Sequence, residues 1–254
     1  MSIPTVQPYD YQALFPLEHE RLMGLLHSLT PADWQRATPC PGWDVHDLVM
    51  HLLGGSLSVI SWHRDGFRGT SPPDDVDEQG FIDWLDELQD AWVAAARRVS
   101  PQLALELLEW SARGFAEAVS AENSAVTAVV SWASTAPVPL WLDHARELTE
   151  KWIHRQQLLR AVGRQADLRE DLAVPVLEAL RWAYPFRLSA HRRSRGAFVR
   201  ISVDGEHGGR RWLLVSNGAS WEFDGPGPTI EVASISLTVD QAWKLLTNNF
   251  VAAA

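Results

Sequence analysis

The stretch Leu140-Trp-Leu-Asp-His144-Ala-Arg-Glu147-Leu-Thr-Glu150-Lys-Trp-Ile-His154-Arg155-Gln-Gln157-Leu-Leu-Arg-Ala161-Val-Gly163 decides how the chain is read. It holds no proline, and no glycine until its last residue, so it predicts one long helix from about Leu140 to Val162. Gly163 is placed to stop that helix, because glycine accepts the left-handed backbone that closes a helix C-terminus. Glu150 and His154 lie four residues apart. That is about 400° of helical turn, so both side chains leave the same face. With Cβ atoms roughly 5–6 Å apart, a carboxylate and an imidazole can converge on one cation at about 2.0–2.2 Å from each donor. The spacing alone is also common on solvated helix faces. A rival pair, His144 and Glu147, points about 120° or more away on the same helix.

Working outward, the nearest partner for such a pair is His51, in Asp47-Leu-Val-Met-His51-Leu-Leu-Gly-Gly. Apolar neighbours turn it toward an interior. It reads either as a core histidine with satisfied hydrogen bonds or as a ligand. Metal sites in helical bundles take one or two ligands from each of several facing helices. His51, Glu150 and His154 would supply two imidazoles and one carboxylate. Three protein ligands with an open position are the pattern of catalytic rather than structural zinc.

The rest of the first two thirds is helical. Leu14, Leu17, Leu22, Leu25 and Leu26 recur at helical spacing from about Tyr11 to Leu29. Thr30-Pro31 begins a short turn. The tight loop Thr38-Pro39-Cys40-Pro41-Gly42-Trp43 then leads to Asp44, an N-cap for a helix to about Arg64. A polar loop is expected over 69–80, helices over about Phe81–Val99 and Pro101–Val119, and a connection over 120–139 that contains Trp132. Beyond Gly163 the pattern changes. A helix is expected from about Asp171 to Ala190, followed by the basic run His191-Arg192-Arg193-Ser194-Arg195. Strand-like runs cover 197–203, 212–215, 220–223 and 229–237. The steps Asp204-Gly205 and Asn217-Gly218 between them are hairpin signals. A last helix covers about Asp240–Asn248. The chain thus predicts an α+β protein, with a helical bundle over residues 1–168 and a small α+β domain over 169–254.

Composition removes several functions. The balance of 22 Lys+Arg against 32 Asp+Glu gives a net charge of −10, which disfavours broad contact with phosphate backbones. The Arg192–Arg195 run therefore reads as a solvated linker rather than a nucleic-acid patch. The single cysteine, Cys40, excludes an internal disulfide and any zinc site with two cysteines from this chain. Set between two prolines, it reads as a buried small side chain rather than a nucleophile. No run approaches the ~20 apolar residues of a membrane span, and the first ten residues lack a signal-peptide pattern; a cytoplasmic protein is expected. Most of the 13 tryptophans should be core. Gly54-Gly55 reads as close helix packing, since no strand precedes it to make a phosphate loop.

The motifs carry a resemblance. Pro39-Cys40-Pro41-Gly42-Trp43-Asp44-Val45-His46-Asp47-Leu48 with His51-Leu52, together with Glu150-Lys-Trp-Ile-His154-Arg-Gln-Gln157-Leu158 and the Ala161-Val-Gly163 end, resembles the mycothiol-dependent maleylpyruvate isomerase family. That family is part of the DinB-like metalloproteins. The resemblance covers about residues 10–165 and implies a DinB-like four-helix bundle, followed by a small sterol-carrier-like α+β domain. It implies a divalent metal, usually zinc, on His51, Glu150 and His154, and mycothiol as cosubstrate. The chemistry it implies is isomerisation, or S-transfer to a small electrophile. Gln157 stands where many relatives have Asp, and could orient a ligand from behind while lacking the charge. Trp132 is a candidate wall of the thiol or substrate pocket, with plain packing as its competing reading. Arg155 is expected in solvent, as are Arg210 and Arg211. Two alternatives stay open: a non-catalytic small-molecule-binding or regulatory module, and a metal hydrolase that needs no thiol.

Overall fold

A computed structural model describes residues 3–71, 73, 78–121, 127–134, 136–205, 209–225 and 227–247. Parts of the expected loops at 69–80 and 120–139, the tip after Asp204-Gly205, and the last helix beyond Thr247 lie outside the described residues. The chain gathers into two compact units. One joins Asp10–Asn123 with Glu147–Asp167; the other joins Met1–Tyr9, Ser124–Arg146 and Leu168–Asn249.

The first unit is helical. It contains α1 (Tyr11–Leu26), α2 (Val45–Val59), α3 (Glu78–Ala96), α4 (Pro101–Ser120) and most of α5 (Leu140–Ala161). Three of the starts have a local cause. Asp10 accepts a hydrogen bond from the Ala13 amide at 3.2 Å, and Ser100 accepts one from Leu103 at 3.3 Å, just ahead of Pro101 at the first helical position. At α2, Asp44 and Asp47 form a reciprocal capping box. Arg97 grips the Asp47 carboxylate with two hydrogen bonds of 2.9 and 2.8 Å. Tyr11, Phe15, Leu22 and Leu26 are buried along α1, and Ala104, Leu108, Ser111, Phe115 and Ala118 along α4. The three-to-four spacing lays each set on one stripe, and α1 and α2 both pack on α4. The α2 helix continues as a π-helical turn over Ile60–Arg64, within the span expected for it. Gly54 is a packing glycine: a Cβ there would lie 2.5 Å from Trp92 Nε1, and that indole donates to the Met50 carbonyl at 2.7 Å.

Helix α5 departs from amphipathic form. Residues from Trp152 to Leu159 are buried without a break, so its polar side chains need partners inside the protein. Arg155 is the clearest case. Expected in solvent, it is 2% exposed; its Nε and Nη2 donate to the two Glu18 oxygens at 2.6 and 2.9 Å, and Nη1 donates to Asp167 at 2.9 Å. The Glu18 carboxylate, itself buried in α1, draws the guanidinium inward. The helix ends as expected at Gly163, whose φ is +73°. Its amide donates to Arg160 and that of Arg164 to Leu159, at 3.1 and 2.8 Å, a full Schellman closure.

The second unit carries two sheets. β1 (Thr127–Ala128) and β2 (Val138–Pro139) form a short antiparallel pair. A four-stranded sheet is built from β3 (Ala197–Asp204), β4 (Arg210–Ser216), β5 (Trp221–Phe223) and β6 (Ile230–Thr238), in the order β5-β4-β3-β6. The β3–β4 and β4–β5 pairs are antiparallel; β3 and β6 are parallel. The Asn217-Gly218 turn forms as its sequence predicts. The Asn217 side-chain oxygen accepts from the amides of Ala219 and Ser220 at 2.9 and 2.8 Å, and Gly218 takes φ +96°. The helix expected over 171–190 is instead broken into α6 (Glu170–Leu180), α7 (Ala183–Arg187) and a 3₁₀ turn at Leu188–Ala190. Pro185 explains the break: it has no N–H for the Arg181 carbonyl, and its ring crowds that carbonyl. The last helix, α8 (Val239–Thr247), packs on α6 and on the sheet.

Candidate metal centre

Three side chains from α2 and α5 meet inside the helical unit. His51 Nε2 lies 3.0 Å from Glu150 Oε1, and His154 Nε2 lies 2.8 Å from the same oxygen. One donor atom from each residue falls within 4.8 Å of the others. The two imidazoles meet edge to face, with centroids 4.8 Å apart. Their side chains are 11% and 5% exposed while that of Glu150 is 44% exposed, so the cluster is walled on the imidazole side and open at the carboxylate. The helical geometry is the one the spacing predicts: α5 places Glu150 and His154 one turn apart, and α2 delivers His51 from across the unit.

The far side of each ring is held as well. His154 Nδ1 lies 2.6 Å from Gln157 Oε1, and His51 Nδ1 lies 3.3 Å from Gln89 Oε1. An amide oxygen only accepts, so each Nδ1 carries a proton and each Nε2 is turned toward Glu150. The buried Cys40 thiol adds a second donor to Gln157 Oε1 at 3.2 Å. Trp43 packs against His51 with centroids 5.0 Å apart, and its indole N–H is anchored on Asp90 at 3.1 Å. Gln89 and Trp43 were not singled out as site residues from the sequence. Gln89 sits on α3, distant in sequence from both ligand helices, and a lone glutamine on a helix carries no local signal. Gln157, read from the sequence as a residue that could orient a ligand, has its Oε1 at His154 Nδ1.

This donor set fits a divalent cation. Two Nε2 lone pairs and a carboxylate oxygen aimed at one point repel one another unless something positive sits between them. Without a cation that role falls to protons. Burial alone would lower the His154 pKa, but the Glu150 carboxylate and the Cys40 side chain beside it raise it to about 10. Burial would likewise raise that of Glu150, yet His154 and His51 hold it well below the usual carboxylate range. Two imidazoles and one carboxylate are borderline N/O donors suited to zinc, with one position left open.

The other candidates lie elsewhere. His144 is 5% exposed and belongs to the second unit. Among the described residues, His144 and Glu147 join no group of potential metal donors. A second cluster, Asp44, His46 and Asp47, is committed to structure through the α2 cap, the Arg97 pair and a 2.8 Å contact from His46 Nε2 to the Val99 carbonyl. Trp132 is half-buried in a turn of the second unit. Arg210 and Arg211 begin β4, with Arg210 3.9 Å from the Glu178 carboxylate.

Residues 15–159, more than half of the chain, match the family described as the mycothiol maleylpyruvate isomerase N-terminal domain. The chain belongs to that family. Two similar solved structures are the crystal structures of the mycothiol-dependent maleylpyruvate isomerase and of a single-substitution variant of it. Each is 16% identical, with a TM-score of 0.56, over 96% of this chain and 88% of the other. At that identity the likeness is one of fold. No curated protein matches the sequence. Among the described residues, no helix is long and apolar enough to cross a membrane.

Proposed function

We propose that this family member is a zinc-dependent enzyme that uses mycothiol to isomerise, or to transfer sulfur to, a small electrophilic substrate. The reading takes the helical unit as a DinB-like four-helix bundle and the second unit as a sterol-carrier-like α+β domain. One observation carries it: His51 Nε2 and His154 Nε2 converge on a single oxygen of Glu150, with both rings fixed from behind. A bound zinc ion would lower the pKa of a thiol in its open position and so supply a thiolate near neutral pH.

The chain's own residues do the positioning. His51 and His154 would hold the ion through Nε2, and Glu150 would hold it through a carboxylate oxygen. Gln89 and Gln157 keep each Nδ1 protonated, which leaves Nε2 free to donate its lone pair. Trp43 fills the space beside His51 and limits its rotation. The one cysteine is buried and hydrogen-bonded to Gln157, so the reactive sulfur would come from a cosubstrate.

Metal content and thiol dependence test this reading. The purified protein should hold one zinc per chain, and His154→Ala should abolish it. The zinc-loaded protein should either isomerise maleylpyruvate only when mycothiol is present, with the thiol returned unchanged, or consume mycothiol when given a reactive electrophile. Zinc retained in full by His154→Ala would overturn the ligand assignment. Bound zinc with neither thiol-dependent isomerisation nor thiol consumption would favour a binding module, and turnover without thiol a hydrolase.

A further inference from the structure

Away from the metal centre, the helical unit holds a cavity of about 310 Å³ between α1, α2, α4 and α5. Its wall is mainly apolar, with Phe15, Leu22, Leu52, Leu108 and Phe115 contributing. Phe15 and Phe115 meet edge to face, with centroids 4.8 Å apart. Leu52 and Lys151 both line the space, and each directly follows a metal-centre residue, His51 or Glu150. One residue is about 100° of helical turn, so the cavity faces a different side of α2 and α5.

The polar groups of the wall are engaged within the protein or lie toward solvent. Glu18 gives both carboxylate oxygens to Arg155. Ser56 Oγ donates to the Leu52 carbonyl at 3.1 Å and accepts from Lys151 Nζ at 2.9 Å. The Ser111 hydroxyl donates to the Leu108 carbonyl at 3.0 Å. Lys151 Nζ also lies 4.3 Å from the Phe115 ring centroid, and the residue makes further contacts beyond these. His19 is half-buried. Burial and the Lys151 charge hold its imidazole below the ordinary pKa, so the ring is neutral at neutral pH. Glu20 and Arg113 are exposed. No buried side-chain nitrogen or oxygen of this wall lacks a hydrogen-bond partner among the described residues. A polar group on a guest would have to displace a bond the protein already makes, and a charged one would lose its water without a free counter-charge. The volume is about twice the roughly 150 Å³ of an apolar cavity that admits benzene.

We propose that this cavity binds a neutral apolar molecule about the size of two fused rings. Its body would lie against Phe15, Leu22, Leu52, Leu108 and Phe115, and burial of apolar surface would drive the binding. This stands independently of the metal reading, since no metal-centre side chain lines the cavity.

Equilibrium dialysis of the full chain at neutral pH against naphthalene, 2-naphthoate and 2-naphthylmethylammonium tests it. The three share one ring system and differ in charge. Naphthalene should bind saturably, one per chain, with each charged relative about tenfold weaker or worse. Ala112→Trp, which fills the cavity from α4, should weaken naphthalene by about tenfold or more, with the thermal midpoint kept. Should that variant fail to fold, Ala116→Phe fills the same space one turn along. Absence of saturable naphthalene binding, equal or tighter binding of either charged relative, or wild-type affinity in the folded cavity-filling variant would each overturn the proposal.

Discussion

Gln157 shows how much one side chain can direct. Its Oε1 receives His154 Nδ1 at 2.6 Å and the Cys40 thiol at 3.2 Å, so it sets both the tautomer and the angle of the ring. An Asp in this place would do the same and add a charge. Gln157→Leu keeps the bulk and removes the acceptor. It should weaken zinc binding by about 10–100-fold, the usual cost of losing such a support, as read by competition with a chelator. Gln157→Asp should bind as tightly as wild type or tighter. Unchanged affinity in Gln157→Leu would show that the amide does not orient His154. Gly54 acts through what it lacks. With a Cβ 2.5 Å from Trp92 Nε1, Gly54→Ala must push the indole off its bond to Met50. Overpacking of this kind costs about 1–3 kcal/mol, measurable as a lowered urea midpoint.

At the scale of elements, α5 is held by partners that its own sequence does not display. Arg155 looked like a surface cation because the face it occupies cannot be judged from a helix that is buried nearly all round. Its carboxylate partners, Glu18 and Asp167, lie on α1 and in the segment after α5. Removing one member of a buried pair strands the other charge, so Arg155→Met should cost about 3–5 kcal/mol of unfolding free energy. Adding Glu18→Leu to that variant should recover much of the loss, because the stranded charge is then gone as well. A double variant no more stable than Arg155→Met would show that the pair is not the source of the cost. The start of α2 and the end of α5 were legible for the opposite reason. A cap such as Asp44 and a stop such as Gly163 depend on residues within a few positions of each other. The break before α7 was legible in principle from Pro185, which the period of the apolar residues outweighed.

For the whole molecule, the response to acid depends on how buried carboxylates are held. Burial by itself would raise the pKa of Asp47, but the Arg97 guanidinium and the Asp44 cap bond bring it below its ordinary value. A group depressed in the folded state contributes stability above its unfolded pKa, about 3.9. That contribution is lost as the pH falls through the folded value. The urea midpoint should therefore drop as pH is lowered from about 5, and Asp47→Asn should be less stable at pH 7 with a shallower acid dependence. An identical slope in Asp47→Asn would remove this carboxylate as a contributor. The sequence by itself determined what is local or periodic: the helical first part, the strand-rich tail with its Asn217-Gly218 turn, the caps, and the shared face of Glu150 and His154. Residues a few positions apart are held in fixed relation by the backbone, so their geometry follows from spacing. The tertiary structure decided what depends on distant chain meeting: His51 opposite Glu150, Gln89 and Cys40 behind the rings, Arg155 on Glu18, and the grouping of residues 124–146 with the tail. Those pairs are up to 137 residues apart, and only the packing of whole helices, driven by apolar burial, selects which side chains come within hydrogen-bond reach.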